Sequence, residues 1–309
     1  MQRLTLAGGI PDHLKGSIVA LGNFDGFHLG HQAVVGRAVQ RGFHERRPVI
    51  VATFDPHPVR YFKPDVPPFR LTTLDQRERL FAQAGADAML VFEFGEELRE
   101  TSAEDFVAKL LAGKIGAAGV VTGDDFSFGK GRSGDVEALR TLGAYVGIAA
   151  EAVAPVLVDG ERVSSGRIRE ALVEGDTGRA THLLSRDFAI EGVVKKGDQR
   201  GRELGYPTAN LALGDYQRPK YGIYAVRITL EGGSEHPGVA NLGIRPTFDP
   251  PQELLEAHLL DFDKHLYGQK VEVALHAYIR EEKKFDGIEA LIAHMREDEA
   301  KARHLLALD

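Results

Sequence analysis

Cysteine is absent from all 309 residues of the chain. That absence excludes disulfide bonds, thiolate nucleophiles and zinc sites with cysteine ligands. It leaves the redox compartment open, because a chain without thiols is compatible with oxidising and reducing surroundings alike.

Long hydrophobic runs are also absent. A membrane-spanning helix needs about 18 or more consecutive apolar residues, and the sequence has no such stretch. The apolar run within residues 1–11 is too short for a secretory signal peptide. We therefore expect a cytoplasmic protein with no membrane partner.

An excess of positive charge is missing too. The sequence has 38 Lys and Arg residues against 45 Asp and Glu residues, a formal net charge of −7. Extended contact with nucleic acid requires a large basic surface, so no nucleic-acid partner is expected. The remaining composition, 43% hydrophobic and 27% charged, is that of a soluble globular protein, and the length suits two ordinary domains.

A glycine-rich turn near the N-terminus joins a predicted strand to a predicted helix. Residues 17–21 form a short apolar, β-rich run, and residues 32–42 have apolar positions at helical intervals. Gly22, Gly26 and Gly30 allow the backbone between them to bend and to approach a ligand closely. The following helix presents unpaired N–H groups and the positive end of its dipole. The turn therefore predicts an anion site, and a phosphate is its natural occupant.

His28 and His31 end this turn, three residues apart. If the helix begins near Leu29, both imidazoles face the space in front of its N-terminus. There they can stabilise charge that develops on a phosphoryl group, an effect worth roughly 10²–10³ in rate. A metal-binding pair and two loop histidines without a chemical role are the alternatives.

Strands and helices alternate through the first half of the chain. This alternation predicts an α/β fold with a doubly wound parallel sheet, whose ligands bind beyond the carboxyl ends of the strands. The glycine-rich turn follows one of these ends. The strands are predicted at residues 17–21, 48–54, 88–92, 119–123 and 149–158, and the helices at residues 32–42, 76–84 and 103–111.

Two candidate substrate-binding regions follow later strands. His57 lies between two prolines, which stiffen its loop and hold its ring near the strand ends; a cap on the strand is the alternative. Asp125 supplies a hydrogen-bond acceptor, while Phe126 and Phe128 supply flat apolar surface. This mixture suits an aromatic ring system with polar edges, such as a flavin, although ordinary strand packing also explains two phenylalanines.

A second anion site is predicted at the start of a later helix. Ser164 or Ser165 can cap this helix, and Arg167 and Arg169 lie in its first turn. Cations are unfavourable at a helix N-terminus unless they share an anion, so the pair predicts a bound anion, for which pyrophosphate is the candidate. Solvated surface arginines are the alternative.

Strand-like periodicity dominates from Phe188 onward. Short strands with turn residues between them predict a small antiparallel β-barrel, closed by an amphipathic helix within residues 287–308. The apolar face of that helix is predicted to consist of Ile288, Leu291, Ile292, Met295, Ala302 and Leu305. Asp298 and Glu299 interrupt this apolar stripe. We therefore predict an α/β domain over residues 1–185 and a barrel domain over residues 186–309.

A basic, glycine-rich loop opens the second domain. Residues 195–210 have the composition of a loop that wraps phosphates, although such loops are common and also form ordinary turns. The candidate phosphate-binding residues in it are Gly197, Arg200, Gly201, Arg202 and Gly205.

These motifs resemble those of one enzyme family. The His-x-Gly-His ending of residues 22–31 is similar to the signature of HxGH nucleotidyltransferases. The whole stretch, followed by residues 52–58, resembles the bacterial bifunctional riboflavin kinase/FMN adenylyltransferases, or FAD synthetases. In the second domain, residues 205–210 resemble the G(F/Y)PTAN signature of riboflavin kinases, and residues 238–248 and 255–268 resemble further segments of the family.

The resemblance implies a two-step synthesis of flavin cofactors. The barrel domain would phosphorylate riboflavin with ATP to give FMN, and the α/β domain would transfer AMP from a second ATP to FMN, giving FAD and pyrophosphate. His28 and His31 would be catalytic in the second step. The implied ATP-binding residues are Gly22, Asn23, Phe24, Gly30, Ser165, Arg167 and Arg169, and the implied flavin-binding residues are His57, Asp125, Phe126 and Phe128.

For the kinase step, the resemblance implies a metal site and a base. Thr208 and Asn210 would bring oxygen ligands to the Mg²⁺ that accompanies ATP. Glu256 matches the general base that takes the proton of the ribityl 5′-hydroxyl. The sequence departs from the family pattern at Gly166, where relatives carry Thr, and in residues 248–252, which lack the expected glycines.

Other functions are weighed against this interpretation. An adenylyltransferase for another phosphorylated substrate, with a non-catalytic barrel, is the main alternative. A class I aminoacyl-tRNA synthetase is disfavoured because no KMSKS-like lysine loop occurs, and an RNA-binding barrel is disfavoured by the acidic residues 297–299. We therefore predict an enzyme with riboflavin, FMN and ATP as partners and Mg²⁺ as cofactor; the sequence leaves its oligomeric state open.

Overall fold

A computed structural model describes residues 1–196, 206–245 and 252–308. The chain folds into two compact units. The first comprises residues 1–67 and 72–164, and the second comprises residues 68–71 and 165–309. Residues 165–185, which the sequence analysis assigns to the first domain, are thus grouped with the second unit; the functional boundary at residue 185 stays a prediction.

The first unit is built on a parallel sheet, as predicted, and this sheet has six strands, one more than the five that the sequence indicated. Its strand order is β1-β4-β3-β2-β5-β6. The chain leaves β2 toward β3 on one side and later returns to β5 on the other, which makes the carboxyl end of β2 the topological switch point where ligands of such sheets bind. The strands are β1 (Gln2–Thr5), β2 (Ile18–Leu21), β3 (Val49–Asp55), β4 (Ala88–Glu93), β5 (Gly119–Gly123) and β6 (Ala149–Val153).

Helices cover both faces of this sheet. Successive side chains of a strand point to opposite faces, and in β2 they alternate between two buried apolar clusters, one with Ile18 and Ala20 and the other with Val19 and Leu21. The helices of the unit are α1 (Leu29–Glu45), α2 (Pro58–Phe62), α3 (Leu74–Gln83), α4 (Glu96–Glu100), α5 (Ala103–Asp105) with the π-helix Phe106–Ile115 that continues it, and α6 (Val136–Tyr145); Asp12–Leu14 and Lys130–Arg132 are 3₁₀-helical.

The strand predicted at residues 149–158 was too long. β6 ends at Val153, and Leu157–Val158 forms a separate short strand, β7, paired with β8 (Glu161–Arg162) in a hairpin. Pro155 explains the break, because proline has no N–H group to donate to a sheet.

The second unit is a nearly closed antiparallel barrel preceded by two helices and followed by one. Its strand order is β10-β13-β12-β11-β14-β9. The two edge strands approach each other where the backbone N–H of Lys195 donates to the carbonyl of Asn210 at 2.9 Å. The elements are α7 (Ser165–Glu174), α8 (Thr177–Leu184), β9 (Phe188–Val193), β10 (Ala209–Ala212), β11 (Gly222–Leu230), β12 (Glu235–Arg245), β13 (Gln252–Leu259), β14 (Lys270–Arg280) and α9 (Ile288–Leu305).

The register of the barrel strands shows which side chains face the interior of the barrel and which face outward. Leu211, Leu255 and Leu242 are partners across β10, β13 and β12, and all three are buried in the barrel interior. The residues between them face outward. On the outer face, α9 packs Ala302 and the following Leu306 against Ala225 of β11, so the predicted closing helix is confirmed.

Asp298 is not a solvated break in the apolar stripe of α9, because its side chain is buried. It is 3% exposed, and its two carboxylate oxygens accept hydrogen bonds from Arg280 of β14 at 2.8 and 2.5 Å. Ile288 and Leu305, which the sequence analysis places on the buried face, are exposed instead. A buried ion pair therefore occupies the middle of the contact between this helix and the barrel.

Removal of Asp298 is expected to destabilise the barrel. Asp298→Ala leaves the Arg280 guanidinium largely buried without its carboxylate, and we expect a loss of about 3 kcal/mol in the free energy of unfolding. The matched control is Glu299→Ala, which removes a partly exposed pair with Arg303 and should cost at most about 1 kcal/mol. Urea unfolding followed by circular dichroism measures both changes, and equal losses would contradict the role of the buried pair.

Candidate active sites

Buried polar contacts hold the turn between β2 and α1. The backbone N–H of Gly26 donates to Thr72 Oγ1 at 2.9 Å, and the backbone N–H of Thr72 donates to Asp25 Oδ1 at 3.1 Å. Arg77, which is 1% exposed, donates from Nη1 to the carbonyl of Asn23 at 3.1 Å. These hydrogen bonds to Thr72 and Arg77 therefore fix the conformation of the turn.

Two phenylalanines anchor the same turn. Phe24 and Phe27 have φ angles of 50° and 42°, a left-handed conformation that is unusual for bulky residues. Both rings are buried and contact Phe81 edge to face, with centroids 5.6 and 5.1 Å apart. The ring of Phe24 thus belongs to the core, so any contact of this residue with a nucleotide would come from its backbone.

His28 and His31 lie together at the N-terminus of α1, as predicted. Their imidazole rings stack with centroids 3.6 Å apart and planes 17° from parallel. His28 Nδ1 accepts a hydrogen bond from the backbone N–H of His31 at 3.3 Å and so caps the helix. Because Nδ1 is the acceptor, the hydrogen of the neutral His28 ring is on Nε2.

Gly30 allows this arrangement of the rings. A Cβ atom at Gly30 would lie 3.2 Å from Cε1 and 3.3 Å from Nδ1 of His28, and 3.6 Å from the carbonyl of Val163. The ring of His28 would have to move by a few tenths of an ångström to accept a methyl group. Glycine at this position therefore sets the position of His28.

If His28 is catalytic, as the sequence predicts, Gly30→Ala should lower the rate of the predicted AMP transfer by about tenfold, because small displacements of a positioning group are costly in rate. Gly36→Ala is the matched control on the same helix, since a Cβ atom there has no neighbour within 4 Å. Steady-state rates of FMN adenylylation measure the effect. Equal activity of the two variants would show that the ring position does not matter.

The predicted flavin-binding residues differ in exposure. His57 Nδ1 accepts from the backbone N–H of Val59 at 3.1 Å and caps α2. Asp125 is exposed and lies 2.9 Å from Nη2 of Arg162. Phe126 is half-buried and stacks on the buried Phe128, with ring centroids 5.9 Å apart. Phe128 thus contributes to the core, whereas His57 and Phe126 are half-buried and Asp125 is exposed.

The predicted pyrophosphate site lies at the start of α7, in the second unit. This helix begins at Ser165. Arg167 lies in its first turn, as predicted, whereas Arg169 lies at the start of the second turn rather than in the first. Arg169 Nε donates to the carbonyl of Phe69 at 2.7 Å, and its guanidinium carbon lies 5.2 Å from the centre of the Phe69 ring. The segment of residues 68–71 therefore fixes the position of the Arg169 side chain.

A row of polar side chains crosses the outer face of the barrel. Glu256 of β13 is the register partner of Asn210 in β10 and of Asn241 in β12. Directly opposed residues of antiparallel strands point to the same face, with Cβ atoms about 5 Å apart. The three side chains therefore stand next to one another, with Glu256 in the middle. We call Asn210, Glu256 and Asn241 the outer row.

Thr208 lies beside the β10 end of the outer row. Asn210 Nδ2 donates to the carbonyl of Thr208 at 3.3 Å and lies 3.5 Å from its hydroxyl oxygen. Residues 206–208 are held against β13 by His258, whose Nδ1 lies 2.9 Å from the carbonyl of Pro207 and whose ring contacts Tyr206. The structure thus brings together all three residues predicted for the kinase step.

The other carboxylate of β13 is part of a structural network. Glu253 accepts hydrogen bonds from Arg218 Nε at 2.8 Å and from the hydroxyl of Tyr221. The hydrogen bond from Arg218 lowers the pKa of Glu253, while burial and the bond to Glu253 raise the pKa of Tyr221 to about 12. Both groups therefore keep their charge state near neutral pH, and the network fixes the start of β13.

The remaining phosphate candidates, Gly197, Arg200, Gly201, Arg202 and Gly205, lie outside the described residues. Two residues of these sites were not singled out from the sequence. Arg77 occupies a position on the apolar stripe of α3, between Leu74 and Phe81, and a charge on that stripe was the available signal. Asn241 shares its strand face with Val239, which alternation along β12 could have revealed.

Metal and membrane features can be stated for the described residues only. Within residues 1–196, 206–245 and 252–308, no cluster of three or more His, Asp or Glu side chains could hold a metal ion. None of the helices in these ranges combines the length and the apolar character needed to cross a bilayer.

The fold and its two polar sites define a nucleotidyltransferase-type unit joined to a kinase-type barrel, and sequence comparison agrees. Residues 10–167 match the family model of FAD synthetase, and residues 184–306 match that of riboflavin kinase. The chain belongs to the bifunctional riboflavin kinase/FMN adenylyltransferase family, which confirms the resemblance predicted from its motifs.

Individual relatives are similar over nearly the whole chain. The bifunctional riboflavin kinase/FMN adenylyltransferase of Pseudomonas fluorescens is 40% identical over 96% of this chain and 95% of its own length. The enzyme of the same name from Escherichia coli K12 is 37% identical over 95% of this chain and 94% of its own length. A crystal structure titled macrolide-efflux protein from Streptococcus pneumoniae is 28% identical, with a TM-score of 0.87 over 98% of this chain and 99% of that one.

Proposed function

We propose that the residues located above carry the two reactions of this family, with residues 1–185 responsible for FMN adenylylation and residues 186–309 for riboflavin phosphorylation. The observation that carries the proposal is that each matched family model contains its own polar site, the histidine pair in one and the outer row in the other. The proposed location is the cytoplasm.

In the kinase reaction, Glu256 is the proposed general base. It removes the proton of the ribityl 5′-hydroxyl while that oxygen attacks the γ-phosphorus of ATP, and the bond to ADP breaks. A base placed within reach of the reacting hydroxyl contributes about 10²–10⁴ in rate. Its position in the middle of the outer row, next to Asn210, supports this role.

Thr208 and Asn210 are the proposed ligands of Mg²⁺. The hydroxyl oxygen of Thr208 and the amide oxygen of Asn210 would be two hard oxygen ligands, which this ion prefers. The two side chains are neighbours, since Asn210 Nδ2 lies 3.5 Å from Thr208 Oγ1. Bound with ATP, the ion would neutralise charge on the phosphates. The buried position of Asn210 and its hydrogen bonds to Thr208 keep the two donors side by side before any nucleotide arrives.

In the adenylylation reaction, a phosphate oxygen of FMN attacks the α-phosphorus of ATP, and pyrophosphate leaves. His28 and His31 are proposed to stabilise the charge on the transferred group from the N-terminus of α1, while Gly22, Asn23, Phe24 and Gly30 contribute backbone to the phosphate site. His57, Asp125 and Phe126 are proposed to contact the flavin. Ser165, Arg167 and Arg169 are proposed to bind the pyrophosphate part of ATP.

Chromatographic separation of flavins tests the whole proposal. Incubation with riboflavin, ATP and Mg²⁺ should yield FMN and FAD, and incubation with FMN and ATP should yield FAD. Without riboflavin-dependent consumption of ATP the barrel would not be catalytic, and without FAD from added FMN the first unit would have another substrate. Addition of EDTA should stop the kinase step.

A further inference from the structure

Asn241 lies in the outer row but has no part in the proposed chemistry. Its side-chain oxygen is buried, and no hydrogen-bond partner for it occurs among the residues that the structure describes. A buried amide oxygen without a partner costs about 1–3 kcal/mol, so proteins rarely retain one without a reason. In a substrate site, the common reason is a partner that arrives with the substrate.

The position of Asn241 restricts what that partner is. Glu256 separates it from Asn210, so the proposed metal and phosphates lie on one side of the base and Asn241 on the other. In a phosphoryl transfer the attacking and leaving oxygens are roughly in line. The chain that carries the attacking hydroxyl therefore extends away from the nucleotide, in the direction of β12.

The hydrogen-bonding chemistry of Glu256 and Asn241 also favours the substrate chain over a phosphate at the β12 end of the outer row. Glu256 and the oxygen of Asn241 are both acceptors, so phosphate oxygens are unfavourable between them, whereas hydroxyl groups can donate to both. Neighbouring Cβ atoms of the row are about 5 Å apart, which corresponds to about four carbon–carbon bonds along an extended chain. A hydroxyl group a few carbons from the attacking oxygen can thus reach Asn241.

We infer that Asn241 accepts a hydrogen bond from an internal hydroxyl of the ribityl chain and so selects flavins with a polyhydroxylated side chain; this inference rests on the proposed kinase function. Asn241 is partly exposed although its oxygen is buried. Rotation about its last side-chain torsion, which is soft in asparagine, brings the oxygen to the substrate. Asn241 is in this way a specificity-determining residue rather than a catalytic one.

The test compares two flavins on two variants. The substrates are riboflavin and a flavin whose N10 side chain is a 5-hydroxypentyl group, which keeps only the terminal hydroxyl. Asn241→Ala should lower kcat/KM for riboflavin by about tenfold, the effect of one neutral hydrogen bond, and that for the hydroxypentyl flavin by less than about twofold. Asn241→Leu, which keeps the shape without polar atoms, should behave likewise if the alanine variant folds poorly.

Each other outcome overturns the inference in a recognisable way. Equal losses with the two flavins, or no loss with riboflavin, would remove the contact with the internal hydroxyl. A change in the half-saturating concentration of Mg²⁺ without discrimination between the flavins would place Asn241 at the metal instead. Failure of the unmodified protein to phosphorylate riboflavin would instead refute the kinase function itself, and Glu256→Gln should inactivate toward both flavins alike.

Discussion

Glu256→Gln should lower the rate of FMN formation from riboflavin by about 10²–10⁴ while added FMN is still converted to FAD. Glutamine keeps the size and the hydrogen-bonding ability of the side chain but cannot take up the proton of the attacking hydroxyl. The barrel should fold normally, because Glu256 is on the outer face and the interior leucines are unchanged. Separate assays of the two reactions on one preparation measure the effect.

Glu235→Gln is the matched control for this variant. Glu235 begins β12 and forms an exposed pair with Arg227, so the same chemical change there should leave both rates within about twofold. Equal loss of both activities in Glu256→Gln would contradict the assignment of the base to one of two separate sites.

His28→Ala or His31→Ala should have the opposite pattern. Either substitution removes one of two stacked rings at the N-terminus of α1, and transfer of AMP to FMN should fall by about 10²–10³. Phosphorylation of riboflavin should be unaffected, because the outer row lies in the other unit. Formation of FAD from added FMN is the measurement.

His44→Ala provides the control on the same helix. His44 lies in the last turn of α1, far along the sequence from the stacked pair, and its loss should leave adenylylation unchanged. If His28→Ala and His31→Ala both retained the unmodified rate, the phosphate role of the turn would be refuted.

Elements were predicted correctly from the sequence where the hydrophobic periodicity and the glycine residues that end an element agree. The strand at residues 119–123 was predicted with the bounds that the structure has, because an unbroken apolar run between glycines is typical of a buried parallel strand. The spacing of His28 and His31 predicted that both rings lie at the N-terminus of α1 if the helix begins near Leu29, and it begins there. These predictions needed only local information.

Weak local signals explain the missed elements. β1 has one buried residue, Leu4, and pairs at the edge of the sheet, so it lacks an apolar run. α6 buries only Leu139 and Gly143, which is too little for a clear helical stripe. Both elements are defined by tertiary pairing rather than by their own residues.

Tertiary contacts also determine the surroundings of three residues that the sequence alone could not indicate. Asp298 looked like a break in an apolar stripe because its partner, Arg280, comes from a strand that precedes the helix in the sequence. For Phe128, the sequence left flavin binding and ordinary packing open; the structure shows that its ring packs against Phe106, and flavin binding stays a prediction. Asn241 was overlooked because only the register between β12 and β13 places it beside Glu256.

In the proposed kinase site, Asn210 would link ligand binding to the closure of the barrel. Its backbone carbonyl accepts the hydrogen bond from Lys195 that joins the two edge strands, while its side chain is a proposed donor to the metal. A nucleotide bound through this residue would stabilise the folded barrel that this hydrogen bond closes, by an amount set by the nucleotide concentration relative to its dissociation constant.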